Sequence, residues 1–232
     1  MKSNKFFVIA ICTSMFLSGV VKVYYKNFLF EQLKVIKQIA NPIPKYTDYS
    51  CDKKSFIEQH SGHNYDVVFI GDSNTYGAEW QELFPSLRIA NRGINGDRTD
   101  GVIKRLESIY STSASKAFIM IGINDFYYGM SVNEVFDNYK NIVSKLVDHG
   151  MEVYIQSTIF AGKRIKGLNK RIMALNERLQ VLAKQTDSVT YIDLNVGLAP
   201  DSLLKPWYTW DDIHLNLDGY AIWKELIKSY LQ

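Results

Sequence analysis

A chain of 232 residues is long enough for one sizeable hydrophobic core and gives no reason to expect a second. An apolar content of 47%, with no repeat or low-complexity tract, excludes a disordered protein. The formal charge of only +3 is spread along the sequence, which excludes the concentrated basic patch that a nucleic-acid backbone requires as a partner.

The first element, Phe6 to Val21, is uncharged and mostly apolar, with Lys2 and Lys5 before it. Extended through Val23, Tyr24 and Tyr25, with Lys22 reaching for the headgroups, it is long enough to span a bilayer. A cleaved signal peptide competes with this, but no small-x-small site follows the run, and Ile11 before Cys12 rules out a lipobox. We therefore expect an uncleaved anchor over residues 1–25. Lys22, Lys26, Lys34 and Lys37 outnumber the preceding lysines, against the positive-inside pattern for export, yet an extracytoplasmic catalytic domain is the orientation expected. Leu29, Leu33, Ile36 and Ala40 then recur at helical spacing before Asn41-Pro42-Ile43-Pro44 breaks the pattern. Residues 26–60 thus read as a stalk helix and linker, or as a stripe that packs on the catalytic domain. Cys12 and Cys51 are placed too differently to predict a disulfide.

From 61 to 232 the pattern alternates short β-rich runs with longer amphipathic segments, as in a parallel sheet covered by helices on both faces. The predicted strands are Val67–Ile70, Arg88–Ala90, Ala117–Ile121, Glu152–Gln156 and Thr190–Leu194. The predicted helices are Asp100–Ser108, Val132–His149, Lys170–Lys184 and Leu217–Leu231. Ser131 to Glu134 has capping-box spacing, and Gly150 stands where a left-handed terminator is wanted.

Ligands of such sheets bind outside the carboxyl ends of the strands, so the residues that follow each run carry the chemistry. After the first comes Gly71-Asp72-Ser73-Asn74, a strand-to-helix turn that can expose a hydroxyl. Taken alone, Ser73 reads more readily as a helix cap than as a nucleophile. After the second comes Asn91-Arg92-Gly93-Ile94-Asn95-Gly96-Asp97, whose glycines let backbone N–H groups face an oxyanion, or simply make a turn. After the third, Asn124 offers an amide donor or an Asx-turn. Before the last helix, Asp211 precedes His214 by three residues, close enough to bond Nδ1–H and aim Nε2 at a serine. His60 and His63 could mimic a metal pair, but no cysteine or acidic ligand is spaced to complete a zinc site, and neither a metal nor an organic cofactor is expected.

These four segments, in this order, resemble blocks I, II, III and V of the SGNH/GDSL hydrolase superfamily. The run from Asn91 to Thr99 is similar to the carbohydrate-esterase and platelet-activating-factor-acetylhydrolase-like branches, which act on acetyl esters. The resemblance implies a flavodoxin-like α/β/α sandwich with five parallel strands in the order 2-1-3-4-5. It further implies Ser73 as nucleophile, His214 as base and Asp211 as its partner, with Ser73, Gly93 and Asn124 as oxyanion donors. Asn74 departs from the Leu or Ile of many members, a change expected to affect packing only.

The substrate leaves fewer marks. Asp72, Asn74, Trp207 and Trp210 stand close enough in sequence to contact it, the two tryptophans by stacking on a sugar or lining an acyl pocket. The basic block Lys163, Arg164, Lys166, Lys170 and Arg171 suits an anionic substrate or a solvated surface. An esterase acting on an acetylated envelope glycan or lipid is the expected activity. An O-acetyltransferase using the same triad and a silent carbohydrate-binding protein are the alternatives.

Overall fold

The computed structural model describes residues 53, 55–57 and 63–232. The expected anchor, 1–25, lies outside the described residues, as does the stalk and linker, 26–60, apart from those four helical positions. Among the described residues no helix is long and apolar enough to cross a membrane.

Five strands form one parallel sheet: β1 (Val67–Gly71), β2 (Ile89–Gly93), β3 (Lys116–Met120), β4 (Glu152–Gln156) and β5 (Val189–Ile192). Their order is β2-β1-β3-β4-β5, as the resemblance implies. The period-two alternation of each strand feeds two cores. Val68, Ile70, Ile119 and Ile155 face helices Val132–Asp148 and Asn169–Lys184, whose Tyr139, Ile142, Leu175 and Leu179 are fully buried. Val67, Phe69, Phe118 and Met120 face the other way, onto Trp80, Leu198, Trp223 and Ile227. Phe69 stacks on Trp80 with centroids 3.8 Å apart, and Trp80 meets Trp223 edge-on at 5.1 Å. Helices therefore cover both faces, and residues 63–232 form three layers.

The capping box at Ser131 and Glu134 is present in both directions, and Gly150 takes the left-handed conformation that ends this helix turn. The segment Asp100–Ser108 differs from a single helix. It divides into Thr99–Lys104 and Leu106–Tyr110 at Arg105, where φ of −121° lets the guanidinium turn inward. The last helix runs Leu217–Ile227 and tightens into a 3₁₀ turn at Lys228–Tyr230.

The register brings the carboxyl ends of three strands level, with Gly71 opposite both Gly93 and Met120. β1 and β3 are neighbours whose chains depart in opposite directions across the sheet, so a crevice opens at their ends. The loops that follow β1, β2 and β3 meet there.

Candidate active site

Ser73 begins a one-turn helix, Ser73–Tyr76, directly after β1. Asp72 caps it, with Oδ1 accepting the Asn74 N–H at 3.1 Å. Being the first helical residue, Ser73 has an N–H without an intrahelical partner, and that N–H donates no bond within the described residues. Its Oγ–H donates to His214 Nε2 at 2.9 Å, across 141 positions of sequence.

His214 lies in a loop stapled by its own residues. The His214 carbonyl accepts from Thr209 Oγ1–H at 2.7 Å and from the Trp210 N–H at 3.1 Å. Asp211 Oδ2 accepts the His214 Nδ1–H at 2.7 Å, while Oδ1 accepts the backbone N–H groups of Ile213 and His214 at 3.0 and 2.8 Å. Burial opposes ionisation of Asp211, but the bonds from His214 and Ile213 outweigh it and hold the carboxyl below its ordinary range. The imidazole is thereby fixed with Nε2 directed at the serine.

Asp72 and Asn74 were expected as substrate contacts, and the structure corrects both. Asp72 is fully buried beneath the turn, and desolvation pushes its carboxyl up to about 7. Asn74 is 2% exposed, and its amide spans two segments, donating to the Ile213 carbonyl at 3.1 Å and accepting the Leu215 N–H at 3.0 Å. The departure at position 74 is therefore a tie between the serine turn and the histidine loop, and not a packing change alone.

The oxyanion assignment at Gly93 is corrected too. The Gly93 N–H donates to Asn91 Oδ1 at 2.9 Å, and a Cβ there would overlap the Tyr76 backbone, so Gly93 is a strand end seated against the serine helix. Gly96 is the glycine that lines the groove beside Ser73, Asn124 and His214. Its φ of +73° is the left-handed conformation that favours glycine, and its N–H donates no bond within the described residues. Both glycines belong to one short run, and the useful signal was that Gly93 still continues the strand whereas Gly96 follows it.

Two buried acids shape this loop. Asp97, next to Gly96, pairs with Arg105 at 2.9 Å with both side chains almost wholly enclosed, and Arg105 also reaches the Gly71 carbonyl at 3.4 Å. Asn124 donates one amide hydrogen to the Asp97 carbonyl at 3.0 Å and lines the groove. Asp125 accepts the Thr99 N–H at 3.1 Å and its Oγ1–H at 2.5 Å, and burial pushes this carboxyl up to about 6 despite those bonds. Asp97 and Thr99 stand in the run singled out from the sequence, but neither their bonds nor the part played by Arg105 could be read there, because their partners lie elsewhere in the chain.

A groove of about 730 Å³ extends from Ser73 past Tyr76, Glu79, Leu83, Trp210, Leu217 and Tyr220. Trp210 is 76% exposed on its rim. Trp207 is exposed as well but does not line the groove. None of the basic block lines it either: Arg164 binds Asp212, and Arg171 lies over Phe126. His60 of the notional metal pair lies outside the described residues, and among the described residues no group of three ligating side chains could hold a metal.

The family model of the GDSL-like lipase/acylhydrolase family matches residues 69–222. An N-acylneuraminate cytidylyltransferase of Streptococcus agalactiae is 23% identical over 165 residues, 71% of this chain. The match spans only 37% of that relative's length. The platelet-activating factor acetylhydrolase IB subunit alpha1 of Pongo abelii is 25% identical over 173 residues, 72% of this chain and 75% of the relative. A solved structure from Streptococcus pneumonia, described as a platelet activating factor, superposes with a TM-score of 0.74 at 27% identity, covering 85% of this chain and 98% of its own.

Proposed function

This chain belongs to the GDSL-like lipase/acylhydrolase family, and on that premise we propose that it is a serine esterase cleaving O-acetyl esters of a glycan or lipid through an acyl-enzyme on Ser73. The observation that carries this reading is the continuous relay from Ser73 Oγ to His214 Nε2 at 2.9 Å and from Nδ1 to Asp211 at 2.7 Å. The acetyl group is supported by the relatives named acetylhydrolase. A sugar or lipid alcohol is supported by the apolar and aromatic rim of Trp210, Leu217 and Tyr220.

Ser73 Oγ forms a bond to the ester carbonyl carbon while its proton passes to His214 Nε2. The carbonyl electron pair moves onto oxygen, and that oxyanion is held by the N–H groups of Ser73 and Gly96 and by the second amide hydrogen of Asn124. Collapse expels the alcohol oxygen, which takes the proton back from Nε2 and leaves an acyl-Ser73. Water then repeats the cycle: its proton goes to Nε2, its oxygen bonds the acyl carbon, and Ser73 Oγ departs as it is reprotonated. Asp211 orients the ring throughout and stabilises the imidazolium.

The test is release of acetate from small aryl acetates and from acetylated glycans, with Ser73→Ala beside the unaltered chain. We expect turnover in the latter and its loss in the former. Equal release from the two would overturn the reading, and faster acetylation of an added sugar than release of acetate would assign the chain to acyl transfer instead. We further propose that residues 1–25 tether the chain to a membrane with the catalytic domain on the extracytoplasmic side. Reporter fusions at the carboxyl terminus test this, and a cytoplasmic signal would refute it.

A further inference from the structure

Everything that Asp211's carboxylate binds among the described residues lies in its own loop: the Ile213 N–H, the His214 N–H and the His214 ring. The aim of the imidazole therefore depends on the conformation of the stretch Thr209 to Leu215. That stretch contains a non-glycine residue, Asp212, at φ of +74°, between Asp211 and His214. The left-handed region is costly for an L-residue, though less so for Asp than for most, and bonds from a second loop help to hold it there.

Those bonds come from the loop after β4. The Gly162 N–H donates to the Asp212 carbonyl at 2.8 Å. Asp212 Oδ2 accepts the Arg164 N–H at 3.0 Å and Arg164 Nε–H at 2.8 Å. The Asp212 carboxylate lies so close to Gly162 that a Cβ at 162 would overlap it. The donor loop is itself fixed from behind. Buried Asn169, the first residue of helix Asn169–Lys184, accepts the Ala161 N–H at 2.8 Å and donates to the Ala161 and Ser202 carbonyls at 2.9 and 2.8 Å. A chain of bonds thus runs from that helix through Asn169, Ala161 and Gly162 to Asp212, the residue between the catalytic pair. On the opposite side, Asn74 pins Ile213 and Leu215.

Resting on the esterase reading above, we propose that Asp212 is a positioning residue. Clamped by Gly162 and Arg164, it holds the Asp211–His214 turn in register with Ser73. This also accounts for Arg164 of the basic block: it is committed to the clamp and is not offered to a substrate. The Arg164 side chain is 68% exposed, so its ion pair contributes little to folding, and loss of the clamp is read in turnover before it is read in melting.

Asp212→Gly removes the carboxylate while relieving the left-handed strain. We expect kcat to fall about tenfold or more, the scale of a small misplacement of reacting groups, with KM within about twofold and the thermal midpoint not lowered. Asp212→Asn tolerates the same backbone and keeps an acceptor for the Arg164 N–H, and should restore kcat to within about threefold of the unaltered chain. Asp212→Gly with unaltered kcat, or with a thermal midpoint that falls in step with kcat, overturns the clamp. A substrate-free arm separates this from failure of the esterase reading. The low-field proton of His214 Nδ1, followed by NMR, should exchange faster in Asp212→Gly than in the unaltered chain and Asp212→Asn. An equally slow proton in Asp212→Gly overturns the clamp whether or not an ester is cleaved, whereas loss of the esterase reading appears as turnover no greater than that of Ser73→Ala.

Discussion

Gly93 and Gly96 stand three residues apart and answer to different constraints. Gly93 has no room for a Cβ beneath the Tyr76 backbone, while Gly96 has open space around it and a left-handed φ. Gly93→Ala should therefore cost about 1–3 kcal/mol of stability through overpacking. Gly96→Ala should lower kcat more than the melting midpoint, because the peptide must turn to relieve its backbone; thermal melts beside turnover distinguish the two. Asn124→Ala, with one oxyanion donor gone, should lose on the order of a hundredfold to a thousandfold in kcat. Asp125 makes a pH prediction at the same scale. Its carboxyl is raised from 3.8 to about 6 in the folded chain, chiefly by burial, so the native state binds a proton that the unfolded chain has already released. Its contribution to stability is therefore greatest below about pH 4 and declines as the pH rises through about 6. Asp125→Asn should flatten that decline, as read from urea midpoints between those limits.

At the scale of elements, the site is the meeting of short turns whose positions are set by longer ones. The one-turn helix Ser73–Tyr76 is far too short to be stable by itself and is held by β1, by Gly93 of β2 and by the bonds of Asn74 to the histidine loop. Asn74→Ala removes two of those bonds at a buried position and leaves the Leu215 N–H and Ile213 carbonyl unpaired. We expect a loss of about 1–3 kcal/mol in chemical denaturation together with a fall in kcat, since Ser73 and His214 are then free to drift apart. The break at Arg105 likewise belongs to the site. It carries the guanidinium to Asp97 and the Gly71 carbonyl, joining the oxyanion loop to the strand that presents the serine.

Over the whole molecule, the charge that meets a substrate is not the charge of the sequence. The chain is formally +3, yet among the described residues the groove is lined by one carboxylate, Glu79, and by no lysine or arginine, with Lys53 outside the lining over the Tyr76 ring. Esters with neutral alcohols should therefore be cleaved faster than esters of the same acyl group with anionic alcohols. The preference should weaken in Glu79→Gln and at high ionic strength, as a steady-state comparison of matched aryl acetates at two salt concentrations measures. The two hydrophobic layers make this possible: they cover both faces of the sheet and leave its carboxyl edge to polar chemistry.

Much was legible in the amino-acid order, because periodicity and turn chemistry are local. The five strands, the long helices, the Ser131 capping box and the three segments that carry Ser73, Asn124 and the pair Asp211 and His214 all follow from residues within a few positions of one another, whereas the strand order followed from the family resemblance. What the order of residues could not decide was which groups those segments keep for themselves. Asp72 and Asn74 look available in sequence and are consumed in the structure, Gly96 replaces Gly93 at the groove, and Arg164 is claimed by Asp212. The roles of Asn74 and Arg164 depend on contacts between loops far apart along the chain, while Asp72 and Gly93 are bonded by residues two positions away and are set by the burial and strand geometry around them. A hydrogen-bond donor's availability is settled by every neighbour that could accept from it, and most of those neighbours are distant in sequence.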